Sequence, residues 1–168
     1  TGNYNDASGN GKNLIAQNSA NNPTVANDRF NKSGQAYTFD GINDYLYTGN
    51  VTIDHPITFS FWTRYSSLDL GAFLGTKGNG TPNGFSIQSS TTGGSNRLVT
   101  YLDNNIRFDS NSNFLPTSTN NFWIFIAVSF DGTTFRLYKN GVLNQTITGS
   151  GTINSTNTFQ VGYSQNGG

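Results

Sequence analysis

Apolar residues recur along this chain mainly at every second position, in short runs separated by polar punctuation. Between 57 and 65, Ile57, Phe59, Phe61 and Tyr65 fall on one face, opposite Thr58, Ser60, Trp62 and Arg64. Further on, Phe135, Leu137 and Lys139 alternate with Arg136 and Tyr138. A period of two belongs to a strand with one buried face. The pattern predicts strands at 35–39, 44–48, 57–65, 71–76, 84–88, 97–102, 105–109, 122–130, 134–139, 142–148 and 158–163. Their spacing is that of a β-sandwich. The run 122–130 is apolar on both faces, which predicts a central strand covered on each side.

Turn chemistry separates the runs. Asp131-Gly132 joins one pair of strands and Asn140-Gly141 the next; Asn-Gly is the favoured two-residue hairpin signal because both central positions need positive φ. Asn104-Asn105 is predicted to turn the hairpin between 97–102 and 105–109. The first 34 residues read as polar loop with one apolar patch at Leu14, Ile15 and Ala16. The stretches 77–84 and 89–96 are glycine-rich polar loops on either side of one strand run, and so at opposite ends of the sandwich. Neither a repeat nor a linker interrupts the pattern, so residues 1–168 form one domain.

Composition sharpens the fold class. There is no Glu and no Met, with four Lys and seven Ala, so the strong helix formers are missing. Asn, Thr, Gly and Ser supply 83 of 168 residues, yet 13 Phe, 8 Tyr and 2 Trp provide core material that a disordered chain lacks. The expectation is an all-β domain. Nine basic residues balance nine Asp, and no basic run exists, which excludes the electrostatic footprint of a nucleic-acid binder. Nothing approaches 18 consecutive apolar residues, so no helical membrane insertion is expected. Without Cys there is neither a disulfide framework nor a thiolate metal site. The Asn/Thr/Gly/Ser-rich composition resembles that of extracellular, cell-surface or virion-surface proteins.

Four ordered motifs carry a family pattern: D-A-S-G-N-G-K-N at 6–13, Y-T-F-D-G-I-N-D-Y-L at 37–46, I-T-F-S-F-W at 57–62 and W-I-F-I-A-V-S-F-D-G-T-T-F-R-L-Y-K-N-G-V-L at 123–143. Together they resemble the laminin-G-like, concanavalin A-like lectin/glucanase superfamily, in its bacterial and phage surface-protein form. The resemblance implies a jelly-roll sandwich of two antiparallel sheets, used as an accessory module in large surface, adhesive or carbohydrate-active proteins. It also implies a strand before the D-x-S-G-N-G turn and an aspartate-containing strand after Val161-Gly162-Tyr163. This chain begins five residues before Asp6 and stops five after Tyr163, so both terminal strands are expected to be missing. The sequence then covers part of a longer protein, or a neighbouring chain donates the strands.

Glucanases of this superfold use paired glutamates, and glycoside hydrolysis needs two carboxyl groups flanking the bond. With no Glu, and no two Asp alternating on one strand face, an enzyme is not expected. His55, the single histidine, precedes Pro56 at a strand entrance and reads as a surface imidazole ahead of a rigid turn. Calcium is the one cofactor with a case. Asp6, Ser8 and Asn10 alternate before Gly11 in the oxygen spacing of a calcium loop, although Gln17 replaces the acid an EF-hand needs. By resemblance, Asp44 or Asp40 would join Asp6 and Asn10. The alternative is that Asp6 and Asn10 shape a turn and bond their own backbone.

A sugar site needs aromatic faces beside hydrogen-bonding side chains. The candidates are Trp62 with Arg64, and Tyr101 with Asp103 and Asn104; Tyr163 lies near the chain end, and Trp62 and Trp123 also read as core. The leading expectation is a non-catalytic glycan-binding or adhesion module, with a glycan or other cell-surface ligand and neighbouring domains of the same protein as partners. The rival is a ligand-free spacer or decoration domain. An exposed aromatic beside convergent amides would favour the first.

Overall fold

The computed structural model describes residues 4–16, 22–68, 71–76, 84–103, 107–119, 122–153 and 155–162. Its elements are strands, with a 3₁₀ turn at Thr92–Gly94. In chain order they are β1 (Ile15–Ala16), β2 (Thr24–Ala26), β3 (Ala36–Thr38), β4 (Leu46–Ile53), β5 (Ile57–Thr63), β6 (Gly71–Gly75) and β7 (Ser86–Ser90), then β8 (Arg97–Tyr101), β9 (Arg107–Asp109), β10 (Ile124–Phe130), β11 (Thr134–Lys139), β12 (Val142–Thr148) and β13 (Ser155–Val161). Each of the eleven predicted runs overlaps a strand, most with shifted ends. The additional ones, β1 and β2, are two and three residues long, too short to show a period.

The strands form a seven-stranded antiparallel sheet in the order β1-β4-β13-β6-β7-β8-β9, a four-stranded sheet β12-β11-β10-β5, and a separate hairpin β2-β3. The two large sheets pack as a jelly-roll sandwich. Alternation works as expected: Ile57, Phe59 and Phe61 pack toward the core, while Thr58, Ser60 and Trp62 face out. Phe rings interlock the layers. Phe59 of β5 stacks on Phe85 at 4.4 Å, and Phe108 of β9 meets Phe135 of β11 at 4.5 Å. Phe135 stacks on Phe130 at 4.2 Å. A chain with few aliphatic residues thus fills its interior with large aromatic areas.

β10 is central, as its apolar run requires, and pairs over 124–130 with β5 on one side and over 126–130 with β11 on the other. β5 pairs only with β10, so among the described residues its other edge has no strand beside it. Asn140 (φ 52°) and Gly141 (φ 82°) close the β11–β12 hairpin in the left-handed geometry that Asn-Gly supplies. Asp131 organises the preceding connection, accepting from the amides of Thr133 and Thr134 and from Arg136 at 2.9 Å. The β8–β9 pairing matches expectation, although its turn at 104–106 lies outside the described residues. Tyr65 anchors the long connection into β10: its hydroxyl donates to the Pro116 carbonyl, and burial pushes its phenol up to about 12. Among the described residues no helix is long and apolar enough to cross a membrane.

Candidate functional site

The outer face of the four-stranded sheet turns aromatic at one end. The core reading of Trp62 does not hold: Phe61 takes the inward position on β5, and strand alternation sends Trp62 outward, 44 % exposed. Its indole meets the ring of its cross-strand partner Phe125 at 5.2 Å. Arg64, just beyond β5, lies over the half-buried Trp123 ring at 5.2 Å.

The β2–β3 hairpin reaches this end through its tip. Asp28 Oδ1 accepts from the amides of Phe30 and Lys32, both at 2.9 Å, and Asn31 takes φ 61°. This Asx-type turn presents Arg29 and Phe30 together. The Arg29 guanidinium sits 3.8 Å from the centroid of Phe30, a ring that is 71 % exposed, and 4.5 Å from that of Trp62. It bridges the hairpin to the sheet.

Between hairpin and sandwich runs a groove of about 540 Å³. Leu14, Leu46 and Val161 line it with aliphatic surface, Trp62 and Trp123 with indole, and Asn5 and Gln35 with amides. Tyr4 and Tyr37 also line it, their rings 4.7 Å apart; burial, with Tyr4 alongside, raises the Tyr37 phenol above its ordinary pKa. Flat rings with a few polar groups at the rim suit a ligand with both apolar faces and hydroxyls. Arg29 and Phe30 were not singled out by sequence, where residues 1–34 read as loop, nor was Gln35 at the start of a predicted strand. The available signal was Arg29-Phe30 inside an Asp28-to-Asn31 turn, directly before a recognised strand.

The second expected group lies elsewhere. Leu98 and Thr100 point into the core, so Tyr101 faces out from the seven-stranded sheet, on the opposite side of the sandwich from Trp62. Arg107 donates to its hydroxyl at 3.3 Å and holds Asp109 through Nε and Nη2. Arg97 adds a third contact to Asp109 at 3.2 Å. These bonds, Arg107's first, hold the Asp109 carboxyl below its usual range, and Asp109 in turn raises Arg107. Asp103 departs from the expected ligand role. It is 6 % exposed, accepts from the Gly84 amide through Oδ1, and takes the Thr152 hydroxyl at 3.4 Å through Oδ2. It ties two loops together inside the protein. Asn104 and Tyr163 lie outside the described residues.

The proposed calcium ligands are committed within their own loops. Asp6 accepts from the Ser8 amide at 2.8 Å and the Lys12 amide at 3.0 Å, and Ser8 Oγ receives both the backbone and side-chain N–H of Asn10. The Ser8 hydrogen bonds lead in lowering the Asp6 pKa. Asp40 closes its loop on the amides of Ile42, Asn43 and Asp44, which lower its pKa, and Asp44 receives the Asp40 amide at 2.9 Å. Among the described residues no three Asp, Glu, His or Cys side chains gather. Asp6, Asp40 and Asp44 each accept backbone amides of their own loops. His55 packs against Phe130, ring centroids 5.7 Å apart, and beside Gly132, so it is half-buried rather than a free surface imidazole.

Solved structures share this architecture. Domain 4 of AbnA, a GH43 extracellular arabinanase from Geobacillus stearothermophilus solved in complex with arabinotriose, superposes with a TM-score of 0.71 at 20 % identity, over 95 % of this chain and 77 % of that one. The β-glucanase of Bacillus licheniformis superposes with a TM-score of 0.54 at 14 % identity, over 94 % and 80 %. At such identities the likeness is one of fold. No curated protein sequence matches the chain. The family model of the concanavalin A-like lectin/glucanases superfamily matches residues 39–168. With that span and this jelly roll, the chain belongs to the concanavalin A-like lectin/glucanase superfamily.

Proposed function

We propose that the chain is a non-catalytic carbohydrate-binding module of a larger extracellular surface protein, and that it takes its ligand in the groove between the β2–β3 hairpin and β5. The observation carrying this reading is the exposed Trp62 indole at a groove that also presents Arg29, Asn5 and Gln35. An indole face stacks on the C–H face of a sugar ring, while amide and guanidinium groups bond its hydroxyls. The fold supports the same direction, since the superfamily's name and the arabinotriose-bound domain both concern carbohydrate. Catalysis is not proposed. The chain has no Glu, and Asp28 is the single acid among the described residues lining the groove, where hydrolysis needs two carboxyl groups. One shallow site binds weakly, so useful strength would come from repetition in an assembly. The edge of β5 that no described strand covers favours a second reading, a structural domain that packs against its neighbours.

A glycan array in calcium buffer separates the two. Binding to a related set of glycans, lost in Trp62→Ala with the fold intact by circular dichroism and kept in Tyr101→Ala, supports the groove. A blank array from folded protein refutes the carbohydrate reading and leaves the structural one.

A further inference from the structure

We infer that the ligand of this groove carries a carboxylate: an acidic glycan containing uronic acid or a related acid sugar. This rests on the carbohydrate reading above and adds the chemical class of the sugar.

The arginines divide into two groups. Arg97 and Arg107 share Asp109, and Arg136 is paired with Asp131 at 2.9 Å. Arg29 and Arg64 make no ion pair or hydrogen bond to any described residue; their contacts are with rings. Arg29 lines the groove between Phe30 and Trp62, and Arg64 lies over the ring of Trp123, which also lines it. The chain as a whole has as many acids as bases, so two arginines without a carboxylate at one place reflect local arrangement rather than surplus cation. Asp28 is the acid nearest to hand, and its Oδ1 already takes two amides of the hairpin tip.

A guanidinium held over a ring by cation–π attraction satisfies none of its N–H donors with an acceptor there. The groove therefore offers fixed donors without a matching acceptor, and arginine has no acceptor of its own. Sugar hydroxyls can use such donors, but a carboxylate matches the fork with two parallel charge-assisted bonds. In a pyranuronic acid the carboxylate projects from the edge of the ring. A sugar stacked on exposed indole would then direct it sideways, into reach of the rim guanidinium. The aromatic anchor and the unmatched donors together define the class.

Isothermal titration with matched pairs tests this: oligomers of galacturonate, glucuronate and mannuronate, each against its carboxyl-reduced counterpart. The expected result is at least one acid binding at least about tenfold more tightly than its reduced form, as one charge-assisted pair warrants. That advantage should shrink with added salt. It should vanish in Arg29→Gln and weaken in Arg64→Gln, while Arg97→Gln, altering the distant cluster, leaves it intact. Equal affinity for acid and reduced forms overturns the inference, as does equally tight binding of a sulfated oligosaccharide that carries no carboxylate. If neutral sugars bind through Trp62 and the acid adds nothing, this inference falls while the carbohydrate reading stands. If no sugar binds folded protein, both fall.

Discussion

Replacing Asp103 tests whether this residue is an internal strut or a ligand contact. In Asp103→Ala the Gly84 amide loses its acceptor in a site only 6 % exposed, and Thr152 loses a second bond. A buried donor left unsatisfied costs about 1–3 kcal/mol, and a hydrogen bond to a charged group is worth roughly 1.5–3 kcal/mol. The two overlap, since the Gly84 bond is counted in both, and the carboxylate's own desolvation offsets part of the gain. The net expectation is a loss of about 3 kcal/mol. For a domain of this size that lowers Tm by roughly 6–12 °C. Asp103→Asn keeps one acceptor oxygen but faces a donor with its amide N–H₂, so about half that loss is expected. Urea denaturation with unchanged m, followed by fluorescence, measures both. A Tm within about 2 °C of the parent in Asp103→Ala, with glycan binding abolished, would refute the strut and restore a ligand role.

Phe135→Ala should destabilise by about 3–5 kcal/mol, because Phe135 is 1 % exposed and packed between the rings of Phe130 and Phe108; urea denaturation checks it. Gly141→Ala places a Cβ on a residue at φ 82° and should cost about 1 kcal/mol, read as a shift in the same midpoint. Asp6, Asp40, Asp109 and Asp131 all have lowered pKa values in the fold, Asp131 chiefly through Arg136. The unfolded chain then binds more protons as pH falls, so this stability is fully present above the ordinary carboxylate range near ~4 and lost below it. Tm measured from pH 7 downward should hold to about pH 5 and decline below about pH 4; a decline beginning near neutrality would contradict it. Calcium bound at a hundredfold over its Kd would stabilise by about 2.7 kcal/mol. With Asp6 and Asp44 serving their own loops, thermal melts with millimolar calcium or a chelator should coincide; a calcium-dependent rise in Tm would instead support a metal site.

Local chemistry determined much of this protein by itself. Phe59 and Phe61 face inward because their period of two admits no other face, and Asn140-Gly141 turns because few other pairs accept two positive φ values. What depended on tertiary structure is whatever joins residues far apart in the chain. The place of β13 between β4 and β6 follows no local signal, since strand order rests on long-range pairing. Asp103 looked like a surface group beside a turn, and only the arrival of Gly84 and Thr152 makes it internal. Trp62 was visible as a candidate, but its platform is completed by Arg29 and Phe30 from a hairpin whose first strand has three residues. So short a strand is stabilised by its pairing and by the sandwich it packs against, more than by its own propensities. The groove exists because two segments with little to say alone are brought together by the core between them.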